Sequence, residues 1–226
     1  MMDLTRFQPK PFLSFLDEGQ VARLKAAGNL RRLTDGQYIH SRGDTDPGIS
    51  IIESGAAKAG IYGTDGEFIL TSFLGPGHSF GEFTVFTDIP LSHDISAVGP
   101  TSVIRIPSQR FLELGTEEPA YLSALMRATL MRSHILLEML HAIRILPLVP
   151  RVAKFLLILT PPPPAKPKVR FKQTDLAATI GLSRASMNRA LTELEKVGLI
   201  ERSYGGIKII SSSDLLDWLS NESGDY

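Results

Sequence analysis

The stretch TDLAATIGLSRASMNRALTELEKVGLI, Thr174–Ile200, decides how the rest of the chain is read. It divides at one glycine. Before Gly181, DLAATI has the apolar spacing of a short helix, with Thr174 placed to cap it. After Gly181, Ser183 is placed to cap a second helix, RASMNRALTELEKVG. Leu176, Ala177, Ile180 and Leu182 match Met187, Leu191 and Leu194 as facing apolar surfaces. Ala177 is small where two crossing helices must approach. Two helices joined by a glycine turn make a helix-turn-helix. Beyond Gly198, LIERSYGGIKII predicts two short strands around Tyr204-Gly205-Gly206, a wing. Ser211–Trp218 predicts a small closing helix with Trp218 in the core.

A second helix of this kind enters the major groove by its N-terminus. The exposed early positions are Arg184, Ala185, Ser186, Asn188 and Arg189. Arginine bonds the O6/N7 edge of guanine, and asparagine reads adenine. Arg184, Ser186, Asn188 and Arg189 are therefore the candidate base readers. Thr174 and Ser183 sit where helix N-termini hold phosphates, and Lys172 and Lys208 are candidate backbone neutralisers. Charge supports the assignment. The chain carries 24 basic and 24 acidic side chains, formal net charge zero. Residues 151–210 nevertheless hold 11 basic and 4 acidic ones, whereas residues 1–110 hold 10 and 12. Only the C-terminal module is suited to a polyanion. The other use of such a module, docking a protein partner, fits that charge and the two exposed arginines less well.

Toward the N-terminus, residues 120–146 contain no proline or glycine and are rich in Leu, Met and Ala. They predict a helix of roughly 40 Å at 1.5 Å per residue. Pro119 suits its first turn and Pro147 its end. Its apolar positions are too many for one stripe, so two burial partners are expected: its own domain and a second copy of the chain. Pro150 opens a further helix, RVAKFLLILT, and PPPPAKPKVR follows as a stiff basic connector.

From Arg31 to about Pro107 the texture is different. Short apolar runs alternate with turn residues: QYIH, ISIIESG, AAKAGIY, EFILTSF, HDISAVG and TSVIRIP. Asp65-Gly66 is placed as the turn of a hairpin from Tyr62 to Phe68. Such a pattern predicts a small antiparallel barrel or roll, and an α+β chain overall. Residues 11–30 read as short helical turns, with Phe12, Phe15 and Leu16 on one apolar face and Val21 and Leu24 on another.

The order of roll, long helix and winged helix-turn-helix resembles the cyclic-AMP receptor protein and FNR family of bacterial transcription regulators. GPGHSFGEFTVFTD is similar to that family's barrel signature, and TDLAATIGLSRASMNRALTELEKVGLI to its DNA-reading helices. The resemblance implies a cupin-like β-roll of the cyclic-nucleotide-binding type over residues 1–118, a dimerisation helix over 119–147 and a winged helix-turn-helix over 148–226. It also implies a homodimer on a roughly palindromic double-stranded DNA site, with RNA polymerase as a further partner. Arg184 and Arg189 occupy the arginine positions of the family's recognition helix. Ala185 stands where cyclic-AMP-type members use a glutamate that accepts from cytosine, so the target should differ there.

The family's cyclic-nucleotide cassette runs from a Gly-Glu pair to an Arg-Ser or Arg-Thr pair. Here Gly81 and Glu82 match the start, but Ser92 and His93 stand at the end, and GEFTVFTDIPLSHDISA (Gly81–Ala97), which reads as a hairpin, holds no Arg or Lys. Neither side chain supplies a fixed fork for phosphate. On the long helix, Leu136 and Leu137 stand where that type offers hydroxyls to adenine. Three readings stay open. A small apolar effector could sit between Phe80, Phe83, Phe86, Leu136 and Leu137, with Glu82 or His93 as polar handle. The space could be filled by the protein's own side chains. A haem or metal could use the histidines, although His40, His78, His93, His134 and His141 show no close ligand spacing. The three phenylalanines suit a barrel core better than a ligand wall, and Glu82 equally suits a structural acceptor.

No cofactor is implied, and an enzyme reading is poor. There is no cysteine, G-x-S-x-G, H-E-x-x-H or Walker sequence. With no run of 18 apolar residues and no signal-peptide pattern at MMDLTRFQPKPF, no membrane association is expected and the cytoplasm is the expected compartment.

Overall fold

The computed structural model describes residues 9–64, 66–160, 173–203 and 206–223. Asp65 of the expected hairpin turn, the proline-rich connector with Lys172, and Tyr204-Gly205 at the wing tip lie outside the described residues. The chain forms two compact units. One comprises Lys10–Ile61 and Ser72–Arg132; the other contains Tyr62–Thr71 and the chain from Ser133 onward.

The first unit begins with a short 3-10 turn, Phe12–Phe15, and helix α1, Glu18–Ala26. Asp17 and Gln20 form a capping box that satisfies two otherwise orphaned amides. Along the chain six strands follow: β1 (Asn29–Leu33), β2 (Tyr38–His40), β3 (Gly48–Tyr62), β4 (Phe68–Leu74, of which residues up to Thr71 belong to the second unit), β5 (Ser79–Phe80) and β6 (Asp94–Pro107). They run in the order β1-β6-β3-β4, with β2 on β6 and β5 on β3. The registers of β1, β2, β3 and β5 are antiparallel, as the alternation of short runs predicts.

The sheet has two buried faces, which explains the continuous apolar run at the start of β3. Ile49 pairs with Ile106 and Ile51 with Ile104 on one face. They pack with Phe12, Leu24 and three side chains of later helices, Phe111, Tyr121 and Leu125. One residue along, Ile52 pairs with Val103 and faces the interior of the roll, beside Leu33, Ile39, Phe80 and Ile95.

ISIIESG and AAKAGIY, which read as separate runs, are one strand. So are HDISAVG and TSVIRIP. The register shifts between Ile52 and Ala56, so β3 bends through bulges without ending. Gly55 makes the bend. Its φ is 80°, and a Cβ there would lie 2.4 Å from the Pro100 carbonyl oxygen.

Two helices differ from the sequence reading. GEFTVF contains a short helix, α2 (Glu82–Phe86), instead of an arm of a hairpin. Residues before Glu117 form α3 (Ser108–Glu117), although Gly115 lies inside it. A Cβ at Gly115 would meet Leu122 at 2.8 Å, so close packing outweighs the helix cost of glycine.

The long helix α4 spans Ala120–Ile145. Pro147 precedes α5, Leu148–Leu159. Arg151 folds back and donates from Nη2 to the Leu146 carbonyl at 2.9 Å. In α5, all residues from Val152 to Leu159 are buried. Around α5 lie α7 (Arg184–Lys196) and α8 (Ser212–Ser223), with α6 (Gln173–Ile180) against α7. Strands β7 (Ile200–Ser203) and β8 (Gly206–Ile209) pair antiparallel as the wing. Helix α8 is longer than the expected Ser211–Trp218, and Trp218 is only partly buried.

Lys154 is the one charged residue of the buried run Val152–Leu159. It is 6% exposed, and its Nζ lies 2.6 Å from Glu138 Oε2 on α4. Burial pushes the Glu138 carboxyl up, but the hydrogen bond and charge of Lys154 outweigh it and hold the carboxyl below its ordinary value. Glu138→Ala removes the carboxylate from a buried ammonium and should cost about 3 kcal/mol in urea unfolding. The double variant Glu138→Leu/Lys154→Met should recover most of that loss. An unchanged midpoint in Glu138→Ala would show that the pair contributes nothing net.

Candidate functional site

Helix α7 presents two chemically distinct faces. Met187, Ala190, Leu191 and Leu194 are buried. Arg184, Ala185, Asn188 and Arg189 are exposed. Ser183 caps the helix as expected, accepting from the Ser186 amide at 3.1 Å. Its hydroxyl also donates to Ser186 Oγ at 3.0 Å, so the Ser186 hydroxyl is partly engaged inside the cap.

Thr174 does not cap α6. The helix begins at Gln173, and the Thr174 hydroxyl donates to Asp175 Oδ1 at 3.2 Å. An extra residue of helix before Thr174 moves its side chain past the cap position. Thr179 of α6 donates to the Leu70 carbonyl on β4 at 3.1 Å, a contact within the second unit. Lys208 is exposed on the wing, 3.4 Å from Glu201 directly across the ladder. Lys172 lies outside the described residues.

Arg202 of β7 links the wing to α7. Its backbone amide donates to Glu195 Oε1 at 2.9 Å and its Nε to Glu195 Oε2 at 2.7 Å. Its Nη1 donates to Asn188 Oδ1 at 2.9 Å. The hydrogen bonds from Arg202 hold the Glu195 carboxyl below its ordinary value. Sequence reading misses this clamp, because strand and helix residues 14 positions apart give no periodic signal.

In the first unit, Gly81 turns the chain into α2 with φ 101°. A Cβ there would lie 2.3 Å from the Gly48 carbonyl oxygen, so any larger residue would displace β3. Thr84 supports the turn, donating to the Gly81 carbonyl at 2.9 Å. Glu82 is fully engaged at one oxygen: Oε1 accepts from Ser79 Oγ at 2.8 Å and from Arg132 Nη2 at 2.7 Å. Arg132 also donates to the Ser79 carbonyl. The ion pair is largely covered, with side chains 24% and 16% exposed. The sequence reading does not single out Arg132. It stands one helical turn before Leu136, which is the signal that could have found it.

The other expected pocket residues differ in their surroundings. Phe80 is buried in the roll. Phe83 and Phe86 are each about half exposed, neither core nor enclosed wall. Only five residues long, α2 turns them outward while burying Thr84. Leu136 and Leu137 are likewise about half exposed on α4. Ser92 is exposed and hydrogen-bonded to His93 Nδ1 at 2.7 Å. Burial, then the Arg42 charge, lowers the His93 pKa, which leaves the ring neutral near pH 7. Among the described residues, no cluster of three or more His, Asp or Glu side chains could hold a metal. No helix among them is long and apolar enough to cross a membrane.

Family models match both modules. The cyclic nucleotide-binding domain matches residues 30–118, and the Crp-like helix-turn-helix domain matches residues 150–218. Together they account for more than half of the chain. It belongs to the cyclic-AMP receptor protein/FNR family of transcription regulators.

Solved structures share this fold. The c-di-GMP responsive global regulator CLP of Xanthomonas campestris superposes with TM-score 0.68 at 20% identity, covering 86% of this chain and all of that one. A CooA mutant from Carboxydothermus hydrogenoformans gives TM-score 0.67 at 16% identity, covering 88% and 90%. At such identities the likeness is one of fold. Among curated proteins, lysophospholipase nte1 of Aspergillus oryzae is 28% identical over 88 residues. That match takes in 39% of this chain and 6% of the lysophospholipase.

His40 lines the roll near Phe80, at 5.7 Å between ring centroids, with its Nε2 3.0 Å from Ser50 Oγ. Burial, then the Arg105 charge, lowers its pKa to about 4, while Asp44 and Asp46 oppose the shift. An unfolded histidine titrates near 6.5, so the unfolded state takes up this proton first as pH falls. The native state therefore loses stability from about pH 6.5 down to about pH 4. Replacing His40 by Gln should flatten this acid limb, removing about 3 kcal/mol of the difference between pH 7 and pH 4. Urea unfolding at both pH values checks it; equal acid limbs in the two proteins would contradict the assignment.

Proposed function

We propose that this family member is a homodimeric, cytoplasmic, sequence-specific DNA-binding transcription regulator that acts with RNA polymerase and is not controlled by cyclic AMP. The observation that carries the DNA assignment is the exposed, capped N-terminal half of α7. It offers Arg184, Asn188 and Arg189 from a rigid, buried opposite face. Lys208 adds charge on the wing and Lys172 in the sequence just before α6. Arg184 and Arg189 each have the donors to read a guanine edge.

The dimer assignment rests on α4. Met126, Leu130, Leu137 and Leu140 follow helical spacing and are 46–64% exposed, with Leu136 and Ile143 beside them. An apolar stripe of this length is costly in water and suits a second copy of the same helix. Paired chains would set two recognition helices about 34 Å apart, in successive major grooves. In this reading residues 1–118 are the sensor, 119–147 the dimerisation helix and 148–226 the DNA-binding domain.

Independence from cyclic AMP rests on the cassette. Ser92 and neutral His93 offer no fork for phosphate, and Glu82 is held by Arg132 and Ser79. Among the readings of the roll, self-occupancy of the carboxylate by Arg132 has the most direct support.

Binding of the full-length protein to its selected DNA should weaken steeply with rising salt. Arg184→Ala and Arg189→Ala should each reduce specific binding about ten-fold or more and relax one base position. If the purified protein ignores DNA and neither substitution matters, a protein partner takes the place of DNA. Calorimetry with cyclic AMP and cyclic GMP should give no tight binding; a micromolar or stronger dissociation constant for either would overturn the assignment of the cassette.

A further inference from the structure

We infer that Arg202 of the wing sets the base specificity of Asn188, turning it from an adenine reader into a selector of keto bases, guanine or thymine. This rests on the DNA-binding reading above. A free asparagine reads adenine because its amide carries both groups needed: the oxygen accepts from N6 and the nitrogen donates to N7. In this protein one of the oxygen's two lone pairs is taken, and the oxygen is turned toward the wing. Asn188 Oδ1 accepts from Arg202 Nη1 at 2.9 Å.

The orientation of that amide follows from chemistry. A guanidinium has only donors, so the amide atom that faces Arg202 is the oxygen. The guanidinium in turn has little freedom. Glu195 holds it through Nε at 2.7 Å and Nη2 at 2.6 Å, and accepts from the Arg202 backbone amide at 2.9 Å. Glu195 and Asn188 lie two helical turns apart on one side of α7, and Arg202 spans between them from the strand.

With Oδ1 held toward Arg202, the part of the amide turned away from the wing is the NH2 group with its two hydrogens. Asn188 also lies one turn beyond Arg184, so both belong to the stripe that would enter the groove. A donor-only group there matches a base edge rich in acceptors. Guanine offers O6 and N7, and thymine offers O4. Adenine places its N6 donor against the remaining amide hydrogens and loses half of the usual pair. The base preference is thus written partly in β7, outside the recognition helix.

The test is selection of bound duplexes from a random pool by the full-length protein and its variants. Asn188→Ala should relax one position in each half-site, which identifies the base pair concerned. The unaltered protein should carry guanine or thymine there. Arg202→Met should release Oδ1 and move that position to adenine by about ten-fold, with the positions relaxed by Arg184→Ala and Arg189→Ala unchanged. Asn188→Asp is the second arm, because an exposed helix position tolerates it without loss of fold. It keeps an acceptor for Arg202 but exchanges the donors for an acceptor. It should move the position to an amino base, cytosine or adenine. Adenine at that position in the unaltered protein, no position responding to Asn188→Ala, or a keto base retained in Arg202→Met or Asn188→Asp would each overturn the inference. A protein that selects no sequence at all overturns the DNA-binding reading itself.

Discussion

The interaction on which the functional surface depends is the burial of one face of α7 against its neighbours. Met187, Ala190, Leu191 and Leu194 are each no more than 1% exposed. With that face anchored on α5 and α6, rotation of the helix about its own axis is blocked. Only then do Arg184, Asn188 and Arg189 point outward together. The same anchoring places Glu195 where it can hold Arg202, and Arg202 where it reaches Asn188. Packing, ion pair and amide orientation form one chain of dependence. Its last member is Asn188, the group proposed above to read a base.

The roll shows a related economy. The glutamate that opens the cassette here meets an arginine of the chain's own. Glu82, Ser79 and Arg132 satisfy one another in a largely covered environment, where an unpaired carboxylate would be costly. Gly81 keeps its left-handed conformation because β3 passes too close for a side chain. The close approach of β3 is by itself a sufficient physical reason for glycine at position 81.

The helix-turn-helix was legible in the residue order because its signals are local. Gly181 at φ 71° and Ser183 at the cap each act on the next few residues. The long helix was legible for the same reason: 26 residues without a breaker. Helix α3 was not, since Gly115 argues against it until Leu122 is seen to fill the space beside it. Thr174 misled through its resemblance to a cap, when the helix already includes Gln173. Phe83 and Phe86 were placed by apolarity alone, and a helix of five residues can bury only one side. The folding of Asn188 onto Arg202 changes its hydrogen-bonding character, and no reading of α7 by itself contains that information.

The amino-acid sequence by itself determined the order of the elements, the two modules, the family and the absence of a fixed phosphate fork at Ser92-His93. These are set by periodicity, punctuation and residue identity, which act over a few neighbours along the chain. Tertiary structure alone decided which polar groups are still free to act. Arg132 and Glu82 are 50 residues apart, and Arg202 and Asn188 are 14 apart. A hydrogen-bonding group has a limited number of donors and acceptors. Whether it remains available depends on which partner the fold brings within about 3 Å.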